Sequence, residues 1–214
     1  MAWSMVVAAA LTVVFGAAEP RAQGVKATAN LGWTSVYIFR GIPQKTSSAS
    51  GGLDLAAGPV SLGTWAADVG DGSEVDFYGK LGFESGRFRG DVGGTGYFYT
   101  GGFDHRYVEL NVDAGYGPLT ASYAVGIHDV QPSADYWHLG LTGAYAGFSV
   151  TAGHFDYDHD RASSGNYGRV GYDVPLSDLL GLNIAWVVSD SVLSGLGRVD
   201  HTVVLSLSRT FTLN

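Results

Sequence analysis

From Val25 to Arg40 the chain alternates. The odd positions to Phe39 read Val, Ala, Ala, Leu, Trp, Ser, Tyr, Phe, and the even ones Lys, Thr, Asn, Gly, Thr, Val, Ile, Arg. Successive side chains of a strand point to opposite faces, so this segment has one apolar face and one mostly polar face. The period returns downstream. Val75, Phe77, Leu81 and Phe83 alternate with Glu74, Asp76, Tyr78, Lys80 and Glu84. Phe88, Val92 and Phe98 oppose Arg87, Arg89, Asp91, Thr95, Tyr97 and Tyr99, and Val108, Leu110 and Val112 oppose Glu109, Asn111 and Asp113. About twelve such segments follow one another, most near the ten residues a membrane strand needs. They begin near Val25, Gly51, Val60, Glu74, Arg87, Tyr107, Leu119, Tyr136, Gly147, Asn166, Leu182 and Val199.

The connections alternate as well. One set is minimal: Gly58-Pro59, Ser85-Gly86, Gly117-Pro118 and Ala146-Gly147, with Pro175 to Gly181 as its longer member. The other set is polar and mostly longer, and includes "GIPQKTSSAS", "GDGS", "GGFDH", "DVQPSA", "HDRASSG" and "SDSVLSGLG". This sorting is what an up-and-down antiparallel barrel produces, with tight turns at the periplasmic rim and loops outside. The fold class expected is therefore all-β, a transmembrane barrel of about 12 strands.

The first 18 residues, "MAWSMVVAAALTVVFGAA", form an apolar run too short for a comfortable helical span and lead into small residues. They predict a signal peptide over 1–24, cleaved between 18 and 24, ahead of a barrel over 25–214. Export to the outer membrane of a Gram-negative bacterium follows. No Lys or Arg precedes the apolar run, a departure from the usual leader.

A barrel in lipid turns its apolar parity outward and encloses the polar one. Arg40, Glu74, Asp76, Lys80, Arg87, Arg89, Asp91, Glu109 and Asp113 then become pore-lining candidates, with Asp54, Glu84 and Arg169 on the same parity. Phe83, Phe88, Tyr116, Tyr145, Phe148 and Phe211 share the outward parity and fall at predicted periplasmic ends, as an aromatic girdle does. Phe39, Phe98 and Trp137 are expected in an upper girdle, with Phe39 facing lipid and Arg40 the lumen. Asp190 and Arg209 carry charge on the lipid parity near strand ends, where it costs about 0–1 kcal/mol.

Three segments resemble a known family: "SVYIFRGIPQ" matches a Tyr-x-x-Arg-Gly-(Ile/Val)-x-Gln motif, "EVDFYGKLGF" an acidic-x-Asp-x-Tyr-x-Gly pattern, and "GYFYTGGFDHRYVELNVDAGYG" a Tyr-rich strand followed by Tyr-x-Glu. The chain, from about Asn30 to its last strand, resembles the bacterial Gcw_chp family, the TorF-type porins. Lys80 stands where the family commonly has an aromatic, and three residues follow Phe211. The resemblance implies an outer-membrane barrel and says little about cargo.

The net charge of −8 argues against a nucleic-acid partner. Without cysteine there is neither disulfide nor thiolate metal site. "HFDYDHD" at His154 to Asp160 has no diagnostic ligand spacing and reads as a strand running into a loop. No Gly-x-Ser-x-Gly elbow is present, and "GGTGYF" lacks the lysine and helix of a phosphate loop. No enzyme, metal or cofactor is expected. Expected partners are outer-membrane lipid, small solutes or ions, and the barrel-assembly machinery during biogenesis. The function read from this is a monomeric porin for small solutes or ions. The competing readings are a non-conducting structural or adhesion barrel and, behind it, a barrel enzyme.

Overall fold

The structure is a computed structural model that describes residues 24–131, 134–157 and 164–213. The predicted leader, apart from Gly24, lies outside the described residues, as do Asp158, His159 and Asp160. Twelve strands run in order: β1 (Lys26–Phe39), β2 (Ile42–Ala57), β3 (Val60–Gly70), β4 (Gly72–Ser85), β5 (Phe88–Tyr99), β6 (Tyr107–Tyr116), β7 (Leu119–His128), β8 (Tyr136–Tyr145), β9 (Phe148–Tyr157), β10 (Gly165–Pro175), β11 (Leu180–Ser189) and β12 (Asp200–Thr212). Each pairs antiparallel with its chain neighbour, and β1 closes on β12 from Thr28 opposite Thr212 to Thr34 opposite Ser206. Closure leaves no open edge, which is the condition for a sheet to cross lipid.

The faces sort as a transmembrane barrel requires. Leu81, Leu110, Leu141 and Leu205 are between 41% and 56% exposed on the outer surface. The buried set instead includes Asn30, Glu74, Asp76, Thr95, Glu109, Thr120, His138, Thr151, Asn183 and Ser206. Apolar outside and polar inside is the reverse of a water-soluble barrel. Short turns join strands at one end; the longer connections lie at the other, together with two that are as short, Arg40-Gly41 and the single Asp71 where "GDGS" is expected as a loop.

Tyrosines and glycines together fill much of the interior. Tyr78 stands opposite Gly63, Tyr136 opposite Gly126, and Tyr167 opposite Gly153. At each pair a Cβ on the glycine would collide with the tyrosine ring. Each ring thus lies flat over the backbone of the neighbouring strand, which lets large aromatics fit inside a narrow barrel.

Two expectations fail at the β1–β2 hairpin. "GIPQKTSSAS" is not a loop: all but its first residue belongs to β2, and the connection shrinks to Arg40-Gly41. Both turn residues have positive φ, 47° and 84°, the signature of a type I′ turn. Phe39 does not face lipid. It packs edge-on against the buried Tyr97, with ring centroids 6.2 Å apart. The inward parity switches between Thr34 and Tyr37, both buried, where Ser47 of β2, between the Thr34–Ser48 and Val36–Thr46 pairs, takes a positive φ of 57° and breaks the alternation that strict parity extrapolates. Tyr37, on the nominally apolar parity, is likewise buried, 2% exposed.

Candidate functional site

The hairpin tip does not stand up into solvent but reaches across the loop end of the barrel. Arg40 donates from Nη1 to Glu109 Oε2 at 2.5 Å and from Nη2 to Oε1 at 2.9 Å. Glu109 sits on β6, on the opposite side of the barrel from β1 in the strand order. Gly41 is buried, and its carbonyl accepts from Ser189 Oγ at the end of β11 at 2.5 Å. Ile42 and Phe39 pack on an inner cluster of Tyr97, Tyr107, Tyr136, Phe155, Tyr167 and Leu193, the last supplied by the connection 190–199. Only glycine fits at position 41, because an added Cβ would lie 2.6 Å from Tyr167 Cβ at a φ of +84°. Gly41→Ala is therefore expected to cost about 1–3 kcal/mol, read as an earlier midpoint in urea unfolding from lipid vesicles.

Glu109 is the hub of this tier. Besides Arg40 it accepts from Tyr97 Oη at 3.3 Å, and from Tyr136 Oη and Asn111 Nδ2. The Glu109 side chain is 0% exposed and that of Arg40 12%. A buried carboxylate holds its charge only with such a set of partners. The guanidinium also lies 4.8 Å from the Phe39 ring centroid. The residues of the three sequence motifs thus meet inside the barrel. Tyr37 Oη donates to Glu74 Oε1 at 2.8 Å, and Tyr78 Oη donates to Asp54. Arg40 from the first motif binds Glu109 from the third.

A second polar group lies nearer the short-turn end. Lys80 Nζ is 3.3 Å from Asp91 Oδ1 and 3.7 Å from Asp113 Oδ2, linking β4, β5 and β6. Arg89 donates to the Gly117 carbonyl at 2.8 Å and to Thr120 Oγ1 at 2.9 Å. Arg169 donates to Asn183 Oδ1 at 2.7 Å. Asp91 on β5 thus pairs with Lys80 on β4.

Arg87 is a correction. It lies in the β4–β5 turn beside Gly86, whose φ is +60°, and its side chain is exposed rather than enclosed. Strand parity has no meaning once the chain leaves the ladder. Glu84, one pair from that turn, is exposed as well. Asp190 falls just beyond β11, where it accepts backbone bonds from Asn166, Val192 and Leu193.

At the short-turn end Phe83, Phe88, Tyr116, Tyr145 and Phe148 are 48% to 83% exposed, and Phe211 is half-buried. Phe88 packs on Tyr116 at 4.8 Å, and the Arg209 guanidinium lies 4.6 Å from the Phe211 centroid, its charge lifted toward the rim. At the other end Trp137 faces outward and contacts His154 at 5.0 Å. His154 also bonds Asn166 at 2.9 Å, while Asp156 accepts from Ser164. These two members of the "HFDYDHD" cluster are thus occupied in separate contacts.

Parity alone did not single out the aromatic tier. Tyr107 and Tyr136, each preceding or starting a strand run, carried no polar neighbour pattern to mark them. The tyrosine–glycine pairing across strands was the available signal, and it needs the register to be read.

Comparison with known proteins agrees with this architecture. A family described as a bacterial protein of unknown function (Gcw_chp) matches residues 17–106. No curated protein sequence matches the chain. Among solved structures, the KdgM porin superposes with a TM-score of 0.60 at 5% identity, over 86% of this chain and 99% of that one. KdgM in complex with disordered oligogalacturonate gives 0.57 at 5% identity, over 87% and 99%. A structure from work on in-meso crystallisation of membrane proteins gives 0.61 at 10% identity, over 88% and 84%. The chain thus shares a Gcw_chp segment over residues 17–106 and the fold of porin barrels along most of its length.

Proposed function

We propose that the chain is a porin-like channel of the bacterial outer membrane, exported on the leader 1–24. It passes small solutes or ions through a narrow polar lumen that the β1–β2 hairpin tip constricts. The observation that carries this reading is the Arg40–Glu109 pair. It bridges opposite walls of a polar interior with a turn that could, by leaving, reopen it. Twelve strands lie between small barrels filled by side chains and the 16–18-stranded porins with an open channel. A constricted lumen is what that size favours.

The cargo differs in charge from the oligogalacturonate of KdgM. That ligand is a polyanion. Here the inward acids Asp54, Glu74, Asp76, Asp91, Glu109 and Asp113 exceed the inward bases Arg40, Lys80, Arg89 and Arg169. A narrow low-dielectric passage amplifies such an imbalance. The outer contacts are lipid on the apolar belt, with the short turns placed in the periplasm. Assembly machinery would act on the chain before closure.

The dense burial of inward side chains favours a second reading, a barrel that does not conduct. Planar-bilayer recording decides between them. Discrete conductance steps from the purified barrel are expected, small in the native chain and larger in Arg40→Ala. Silence from both, in preparations shown to be folded, leaves the structural barrel.

A further inference from the structure

Two carboxylates in the loop-end half of the lumen have no cationic partner among the described residues. Glu74 and Asp76 lie two residues apart on the inward face of β4, 3% and 7% exposed. Among the described residues, the lumen's ion pairs are Arg40 with Glu109 and Lys80 with Asp91 and Asp113, and none includes Glu74 or Asp76. Glu74 accepts from Tyr37, but Asp76 Oδ1 is buried with no hydrogen-bond partner at all. A second orphan lies beside it. Trp65 stands directly opposite Asp76 across the β3–β4 ladder, and its indole Nε1 is also buried and unpartnered. On the other side of Asp76, directly opposite across β4–β5, is Tyr97.

A donor and an acceptor that are both buried and orphaned, at directly paired positions, point to something that belongs between them. Two carboxylates without a counter-charge in a buried wall make that something cationic. Among the described residues no three of His, Cys, Asp and Glu come together as a divalent ion's ligands. We propose that Asp76 and Glu74, walled by Trp65 and Tyr97, bind a monovalent cation of ammonium size, with the Trp65 N–H meeting a water that the ion retains. This names the class of ion carried and rests on the channel reading only for its physiological use. Binding itself needs no conduction.

The test therefore measures binding. The native barrel in detergent micelles is unfolded in urea at fixed ionic strength, with ammonium chloride replacing choline chloride, whose cation is much larger than ammonium. A ligand that binds the folded state alone raises the unfolding midpoint with concentration. The expected result is an ammonium-specific, saturating rise in the native chain. In Asp76→Asn the apparent affinity falls by about tenfold or more, and this isosteric variant is no less stable than the native chain in choline. A second measurement follows emission from Trp65 with Trp33, Trp137 and Trp186 changed to Phe, where ammonium should give a saturable change that Asp76→Asn removes. Equal midpoints in the two salts with unchanged Trp65 emission would overturn the proposal, as would an undiminished response in Asp76→Asn. A barrel that binds ammonium yet never conducts sinks the channel alone, and one that conducts without binding sinks this site alone.

Discussion

Replacing Arg40 by alanine should release the β1–β2 hairpin tip from the lumen and raise single-channel conductance several-fold. The physical reason is the asymmetry of a buried ion pair. Arg40 and Glu109 together offset the cost of leaving water, whereas Glu109 alone does not, and truncating one partner of such a pair typically costs about 3–5 kcal/mol. Tyr97, Tyr136 and Asn111 still donate to Glu109 in the variant, which places the loss near the lower end. The loss in global stability is capped further, because the tip can leave without unfolding the twelve-stranded wall. Conductance should thus respond more than the urea midpoint does. The double variant Arg40→Ala/Glu109→Gln removes the stranded charge, so its stability should recover toward the native value while its conductance stays high. A double variant as unstable as Arg40→Ala alone would show that the pair does not hold the tip through charge.

The second large effect concerns the outer wall. Leu110 lies mid-strand on β6, opposite Gly94 and Val125, and is 56% exposed. In a barrel facing water, Leu110→Arg would be close to neutral. In lipid an arginine at the midplane costs about 2–4 kcal/mol, falling to about 0–1 kcal/mol near the interface. Reversible folding into lipid vesicles, followed by urea titration, should show the full loss for Leu110→Arg. Tyr145→Arg, at the short-turn rim and 83% exposed, should show little. Equal and small losses at both positions would contradict a belt immersed in hydrocarbon.

The strands were legible because a period of two survives in nearly every one. Leu81, Leu110, Leu141 and Leu205 mark the outer face wherever they stand in the ladder, and Glu74, Asp76, Lys80, Asp91, Glu109 and Asp113 mark the inner one. The tight turns at 58–59, 86–87, 117–118 and 146–147 marked one end, although two connections at the other end, Arg40-Gly41 and Asp71, are as short. The misreadings share one origin. Counting parity misplaces Arg87 because it runs through a turn, and Phe39 because it runs past the positive-φ Ser47; in both places the regular ladder that gives parity its meaning is interrupted.

The interior was a different problem. Sequence put Arg40 and Glu109 on the same inner surface but could not bring them together, since they lie 69 residues apart and on opposite walls. Nor could it show that a run of Ser, Thr and Lys after Pro43 would extend as β2 and draw the connection into two residues.

The amino-acid order alone determined the number of strands, their direction and which face meets lipid, because those follow from local alternation and hydrogen-bond closure. Only the closed tertiary structure decided that the hairpin tip lies across the lumen. Closure sets which walls face each other, and a buried charge takes whatever partner that geometry presents.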